Sequence, residues 1–194
     1  MGVSTSELKW QIQKLLGLGI SARRKKLFKT ALQHFELAIL PCRNTKLSKD
    51  SQVLIYLAIL QINMGICLCK IGQPEEGLNA CNLGLGHLNS YLPNDLGYIE
   101  CLRAFAHREK GVCLRHLGRL EESLMCYDKS EEFYMGINLS GKPHMRSVLA
   151  DTKMNKGICY RLLGRYAEAL QEYKEATDIY YGKALKNWPK LDFP

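Results

Sequence analysis

The sequence predicts an all-α protein built as a solenoid of four helical hairpins. The main observation is a fixed period, because Gly19, Gly65, Gly111 and Gly157 recur every 46 residues. A period in this range indicates a stack of like structural units rather than one globule. In three units another glycine follows seven residues later, where a helix typically ends in the left-handed conformation. Apolar and small residues then recur at helical spacing. Each unit is therefore predicted to be a helix, a short turn and a second helix.

The first helix of each unit leads up to the aligned glycine and ends at the following turn. In units two to four the glycine is followed by the segments Ile66-Cys67-Leu68, Val112-Cys113-Leu114 and Ile158-Cys159-Tyr160. The glycines predicted to end these helices are Gly72, Gly118 and Gly164. Lys26 stands at the same position in unit one, which follows the common pattern least closely.

The second helix of each unit alternates small and bulky residues on one face. In unit four, Ala169, Tyr173, Ala176 and Tyr180 fall at i, i+4, i+7 and i+11, which is one side of a helix. The small residues predicted to allow a close helix crossing are Ala31, Gly77, Ser123 and Ala169. The side chains predicted to fill the space beside them are Phe35, Cys81, Tyr127 and Tyr173.

The repeat divides one domain, residues 1–194, into units at about residues 6–44, 50–91, 95–137 and 143–187, with a tail over 188–194. Pro189 ends any helix that follows the fourth unit, and no separate polar capping helix is evident there. We therefore expect the last face to meet further repeats or another chain, partly shielded by Trp188 and Phe193.

Aligned on the recurring glycines, the equivalent positions of the four units form columns, and these columns resemble the tetratricopeptide repeat. The clearest unit reads Gly157-x-x-Tyr160-x-x-x-Gly164-Arg165-Tyr166-x-x-Ala169-x-x-x-Tyr173-x-x-Ala176, and the resemblance covers roughly residues 6–185. The usual repeat has 34 residues, so each unit here is longer, similar to the extended repeats of kinesin light chain, rapsyn and Gα-binding scaffold adaptors. The resemblance implies a right-handed superhelix that binds other proteins as an adaptor.

Composition is that of an ordinary folded protein. Of 194 residues, 46% are hydrophobic and 24% charged, which excludes a disordered chain. The most apolar run, Val53 to Leu60, is shorter than the ~20 residues of a membrane span, and Lys9 and Lys14 interrupt any secretory signal. Cys67, Cys113 and Cys159 share one repeat column, which indicates core packing. We expect reduced thiols and a cytoplasmic location.

No residue pattern points to catalysis, a metal or a cofactor. The histidines share neither a repeat column nor a metal-ligand spacing; they are His34, His87, His107, His116 and His144. Acidic pairs such as Glu75-Glu76 and Glu121-Glu122 lie at the start of second helices, where they complement the helix dipole. The sequence predicts a protein that is not an enzyme.

The resemblance places the first helices on a concave face that holds a partner peptide or helix. An apolar row there consists of Ile20, Ile66, Val112 and Ile158. A basic row consists of Arg23, Arg115 and Arg161, with Cys69 at that position in unit two. Asn63, Asn155 and Phe105 complete the predicted groove. An amphipathic segment with acidic residues suits it, because arginine binds carboxylates in bidentate fashion. The alternative is that the apolar row packs internally and the arginines are only solvated.

One specialised function of the family is not supported. Chaperone-binding members hold a C-terminal carboxylate with lysine, asparagine and arginine from successive first helices. The corresponding positions here are Leu16, Ile20, Asn63, Phe105 and Glu109, of which only Asn63 fits. A receptor for chaperone tails is therefore not expected.

A basic turn in unit one gives a second hypothesis, that of a membrane-associated scaffold. The net charge is +8, and five cations lie close together: Arg23, Arg24, Lys25, Lys26 and Lys29. The start Met1-Gly2-Val3-Ser4-Thr5-Ser6 also fits the pattern for myristoylation of Gly2. One acyl chain binds a membrane marginally and needs a second signal such as a basic patch. Nucleic acid is a weaker alternative, because no aromatic residues for base stacking interrupt the basic run.

Overall fold

The structure is a computed structural model of the chain and describes residues 4–43, 50–90, 96–135 and 143–181. Within these ranges it contains eight α-helices and no strand. The helices are α1 (Thr5–Arg24), α2 (Phe28–Ile39), α3 (Ser51–Lys70), α4 (Pro74–Asn89), α5 (Leu96–His116), α6 (Leu120–Met135), α7 (Pro143–Leu162) and α8 (Tyr166–Tyr181). A short 3₁₀ turn, Pro41–Arg43, follows α2.

Side chains and backbone conformation set the helix ends. Ser4 begins α1, where its Oγ accepts a hydrogen bond from the Glu7 N–H at 3.2 Å, and Asp50 accepts from two N–H groups at the start of α3. The turns at the ends of α3, α5 and α7 contain the glycines predicted from the sequence, Gly72, Gly118 and Gly164, at φ of 85°, 73° and 74°. Lys26 adopts the same left-handed conformation, at φ 61°. The repeat column therefore sets the backbone even where glycine is missing.

The small and bulky columns meet inside each hairpin, which confirms their predicted role. A Cβ added at Gly65 would lie 2.9 Å from the carbonyl oxygen of Gly77, so α3 and α4 touch backbone to backbone. In hairpins three and four the rings of Tyr127 and Tyr173 lie over Gly111 and Gly157 instead. Because glycine has no side chain, the two helices of each hairpin can approach closely at these positions.

The hairpins stack into two layers. Each second helix packs on the first helix of the next hairpin, and the first helices also contact one another along the series α1, α3, α5, α7. In the described part of the chain, no contact of comparable extent joins the second helices. Because the first helices lie closer together, the array curves around them, and α1, α3, α5 and α7 line its concave face. The fold is the right-handed superhelical solenoid predicted from the repeat.

Helix α3 corrects one expectation drawn from the sequence. The apolar run does not end near Leu60, because the helix continues to Lys70 and has the length and composition of a membrane span. More than half of this apolar segment is buried inside the solenoid, with Val53, Leu60 and Ile62 fully covered. The helix is apolar because neighbours pack on it from several sides, which a single-helix length rule does not take into account.

The cysteine column is a packing column, as predicted. Cys67 and Cys159 are fully buried and Cys113 is 1% exposed, and all eight cysteines are free thiols. Burial raises the pKa of Cys67 to about 11, so the thiol stays protonated at neutral pH. Cys69, Cys81 and Cys113 also form a small apolar cluster between α3, α4 and α5.

Candidate functional site

The predicted groove residues all lie on first helices, which form the concave face. Two of them are buried, Asn63 and Ile66, and Arg161 is exposed. The others are half-buried: Ile20, Arg23, Phe105, Val112, Arg115, Asn155 and Ile158. The structure therefore brings these residues to one side of the solenoid and leaves most of them partly open.

The apolar row contributes partly to the packing between hairpins. Ile20 packs against the large core cluster of the first two hairpins, and Val112 touches the apolar clusters on both sides of α5. Ile66 is 9% exposed. Ile66 and Ile158 lie outside the described apolar clusters, so only part of the row takes part in that packing.

The arginine row has no carboxylate partners in the described part of the chain. Neither Arg23, Arg115 nor Arg161 has an acidic oxygen within 4.0 Å there. The Nε atoms of Arg23 and Arg115 are buried without a hydrogen-bond acceptor among the described residues. Burial lowers the pKa of Arg23, and the more distant Glu109 carboxylate acts against that shift. The guanidinium groups of Arg23 and Arg115 therefore each have an unused hydrogen-bond donor.

The two asparagines are oriented by their own helices. Asn63 Nδ2 donates to the Ile59 carbonyl at 2.7 Å, and Asn155 Nδ2 donates to the Asp151 carbonyl at 2.8 Å. The Asn63 Oδ1 atom is buried and accepts no hydrogen bond in the described structure. Asn63 is 4% exposed, so of the two only the half-buried Asn155 has surface to offer a bound backbone.

An ionic network joins α5, α7 and α8 and was not predicted from the sequence. Arg108 forms ion pairs with Glu109 and with Asp151, the latter at 3.1 Å, and Tyr180 donates a hydrogen bond to Asp151. Burial acts to lower the pKa of Arg108, but the two carboxylates outweigh it and raise the pKa. The Arg108 guanidinium also lies 4.9 Å from the ring centroid of Phe105.

A sequence signal for this network did exist. Arg108 stands in a column occupied by Leu16, Ile62 and Met154 in the other units. One charged residue in an apolar column indicates a buried partner. Nothing in the sequence identified that partner as Asp151.

The basic turn of hairpin one is open to solvent. Arg24, Lys25, Lys26 and Lys29 are exposed, and none has a carboxylate within 4.0 Å among the described residues. Gly2 lies outside the described residues, as do the tail residues Trp188 and Phe193. The structural account of this patch therefore rests on the cations alone.

Metal coordination is not suggested by the arrangement of side chains. Among the residues that the structure describes, no group of three or more His, Cys, Asp or Glu side chains is placed to hold an ion. The clustered acidic side chains of α6 and α8 are instead paired with Lys153 and Lys156.

The sequence of the third and fourth hairpins matches a known family. Residues 103–182 match the model of the tetratricopeptide repeat. The match falls on the units with the fullest glycine and aromatic columns and confirms the resemblance noted in the sequence. No curated protein sequence matches the chain significantly.

Solved structures extend the tetratricopeptide-like fold over nearly the whole chain. BtubC (BKLC) from P. vanneervenii is 14% identical, with a TM-score of 0.71 over 94% of this chain and 67% of its own. RapI in its apo form is 20% identical, with a TM-score of 0.66 over 90% of this chain and 57% of its own. MamA is 17% identical, with a TM-score of 0.57 over 90% of this chain and 81% of its own. At these identities the likeness shows the fold alone.

Proposed function

We propose that this protein is an adaptor whose concave face binds an acidic peptide or amphipathic helix of another protein. The tetratricopeptide repeat fold supports a protein-interaction scaffold in general. The finer proposal rests on one observation, the contrast between paired and unpaired arginines on the same face. Arg108 is bound to two carboxylates, whereas Arg23, Arg115 and Arg161 have none in the described structure.

This contrast favours an acidic ligand on physical grounds. A half-buried guanidinium has already lost part of its hydration, so an incoming carboxylate gains charge-assisted hydrogen bonds at a reduced desolvation cost. The apolar row beside the arginines supplies contact area for the apolar side of a helix or for alternate side chains of an extended peptide. We place this activity in the cytoplasm, in keeping with the free thiols.

Charge reversal at Arg115 and Arg161 tests the proposal. We expect the Arg115→Glu, Arg161→Glu variant to lose at least about tenfold in partner affinity per position. The matched control is Arg119→Glu, Arg165→Glu, which reverses two exposed arginines in the same hairpins that pair with Glu122 and Glu168 at the turns. Proteins captured from lysate by the wild type and by the control, but not by the groove variant, would be identified by mass spectrometry. Equal capture by both variants, with unchanged circular dichroism, would count against the groove.

A membrane-associated scaffold is the second candidate, supported by the four exposed cations of the basic turn. Anionic lipid attracts such a patch by about 1 kcal/mol per cation. Pelleting with vesicles of 30% phosphatidylserine, roughly the charge of an anionic membrane leaflet, would compare wild type, Gly2→Ala and Lys25→Glu, Lys26→Glu proteins made in cells able to myristoylate. Pelleting that none of these substitutions reduces would exclude this candidate. Nucleic acid binding is not proposed.

A further inference from the structure

One leucine column shows which surface of the solenoid has no neighbour among the residues that the structure describes. Leu32 and Leu124 are 9% and 7% exposed, and Leu78 is half-buried. Leu170 occupies the same column in the fourth hairpin and is 70% exposed. The residue type is constant along the column, so the difference in exposure arises from what packs against it.

In each of the first three hairpins, the leucine of this column is covered by the first helix of the next hairpin. Leu124 lies in an apolar cluster with Cys159, Tyr160 and Leu163. At the earlier interfaces, the clusters around Leu32 and Leu78 contain the corresponding residues of α3 and α5, among them Cys67, Leu68 and Ile71 for the former and Cys113 for the latter. The first and third interfaces therefore use one recognition pattern, a small residue followed by apolar residues one and four positions later, and the sequence of α5 repeats it.

The exposed surface of α8 extends beyond Leu170. Tyr166 is 70% exposed, although its counterpart Leu120 packs against the cluster of the third interface. We call Tyr166, Leu170 and Lys174 the end face. It presents two large apolar side chains on one side of a helix, one turn apart, with a cation at the next turn.

Charge distinguishes the end face from the interfaces inside the solenoid. On α6, Asp128 Oδ1 lies 2.7 Å from Lys156 Nζ of the incoming helix α7. The residue of α8 at the position of Asp128 is Lys174. A helix that docks on α8 in the same geometry therefore gains an ion pair with Lys174 if it carries a carboxylate where α7 carries Lys156.

We propose that the end face binds a helix of a second protein. That helix carries an acidic residue, a small residue three positions later, and apolar residues four and seven positions later. This surface is separate from the concave groove, so the proposal does not depend on the groove. None of the first helices of this chain fits, because the acidic position is held by Leu18, Met64, Lys110 and Lys156. Helix α1 would also bring Lys25 to the last apolar position, which disfavours head-to-tail stacking of a second copy.

The test uses two synthetic peptides as probes for the protein of residues 1–194. One has the sequence of residues 143–163 with Lys156→Glu, and the matched control has the unchanged sequence. Fluorescence anisotropy should show the glutamate peptide binding at least about fivefold more tightly. Lys174→Glu in the protein should invert that preference, because the charge pair is then restored with the lysine peptide.

A second pair of variants tests the apolar contact. Leu170→Asp should weaken binding of both peptides by about tenfold or more, since a charge replaces the central buried contact. Leu83→Asp is the matched control, because Leu83 is a 56% exposed leucine on α4 away from the end face, and it should leave binding unchanged. Circular dichroism verifies that both variants remain folded.

Four results would overturn the proposal. These are no binding of either peptide, binding that ignores the charge at residue 174, a Leu170-dependent dimer in sedimentation equilibrium, and binding that appears only after removal of residues 182–194. The third would assign the end face to a second copy, and the fourth would assign it to the chain's own last segment.

Discussion

The first and third interfaces between hairpins use equivalent positions, but one pair of these positions is apolar in the first and charged in the third. Where α2 meets α3, Ile39 and Met64 pack against one large apolar cluster. Two repeats later, where α6 meets α7, the same positions hold Glu131 and Lys156, with their charged atoms 3.4 Å apart. The period therefore sets where two helices meet, and it leaves the kind of contact free to vary.

The charged interface is a network rather than one ion pair. Lys153 and Lys156 contact four carboxylates, those of Asp128, Glu131, Glu172 and Glu175, and the two lysine side chains are 13% and 10% exposed. Burial raises the pKa of Glu131 against the opposing effect of the lysines. For Lys156, burial acts to lower the pKa, but the carboxylates prevail and raise it. An apolar interface tolerates the loss of one member better than such a network does.

The largest expected effect comes from breaking the network. Lys156→Met introduces the residue that α3 carries at this position and should lower the free energy of unfolding by about 3 kcal/mol, because Glu131 and Glu172 then keep only Lys153 as a buried cation. Urea denaturation followed by circular dichroism measures it. The control, Glu131→Ile with Lys156→Met, copies the first interface and should recover most of the loss. A single variant as stable as the wild type would show that the network is energetically neutral.

The next effect separates two ways of packing around the aligned glycine. Gly65→Ala should cost about 2–3 kcal/mol, because its Cβ would press on the backbone of Gly77. At Gly157 the obstacle is the half-buried ring of Tyr173, 2.5 Å from the added Cβ, which can turn outward. The helix propensity of alanine offsets that movement, so Gly157→Ala should change stability by no more than about 1 kcal/mol. Thermal melts of both variants test this order, and equal losses would contradict it.

The smallest expected effect is a loss of folding stability at acidic pH. His107 stacks on Phe133, and burial lowers its pKa from 6.5 to about 4, with Lys129 and Lys110 acting in the same direction. As pH falls below about 6.5, His107 binds a proton in the unfolded chain, whereas in the folded chain it binds that proton only near pH 4. The free energy of unfolding should therefore fall over this window, by about 1–2 kcal/mol once solvent exposure is allowed for.

His107→Gln supplies the control for the acid effect, since α3 carries Gln61 in the same column. Urea denaturation at pH 7, 5.5 and 4.5 should show a flatter dependence for the variant. Burial also lowers the pKa values of His87 and His116, so a smaller slope should remain. An unchanged slope would show that His107 does not contribute to the acid sensitivity.

Much of the architecture could be predicted because it depends on local conformation repeated at a fixed spacing. Gly72 and its equivalents predicted the turns, whereas the left-handed conformation of Lys26 in the first unit became evident only from the structure. The Gly65–Gly77 contact followed from small residues in matching columns. The burial of α3 did not follow, because its apolar length is the same for a core helix and a membrane span. For the candidate groove, the sequence predicted residues that the structure places on first helices. It missed the Arg108–Asp151 pair, whose members lie 43 residues apart.

The sequence by itself determined the number of hairpins, their turns and the side of each helix that faces its neighbours, because a 46-residue period constrains the backbone of every unit alike. Only the tertiary structure decided which arginines of the concave face are paired and that Leu170, unlike Leu124, is left uncovered. These properties depend on distances between side chains of different hairpins. Such distances follow from the way whole helices approach one another. The sequence of a single unit does not determine that approach.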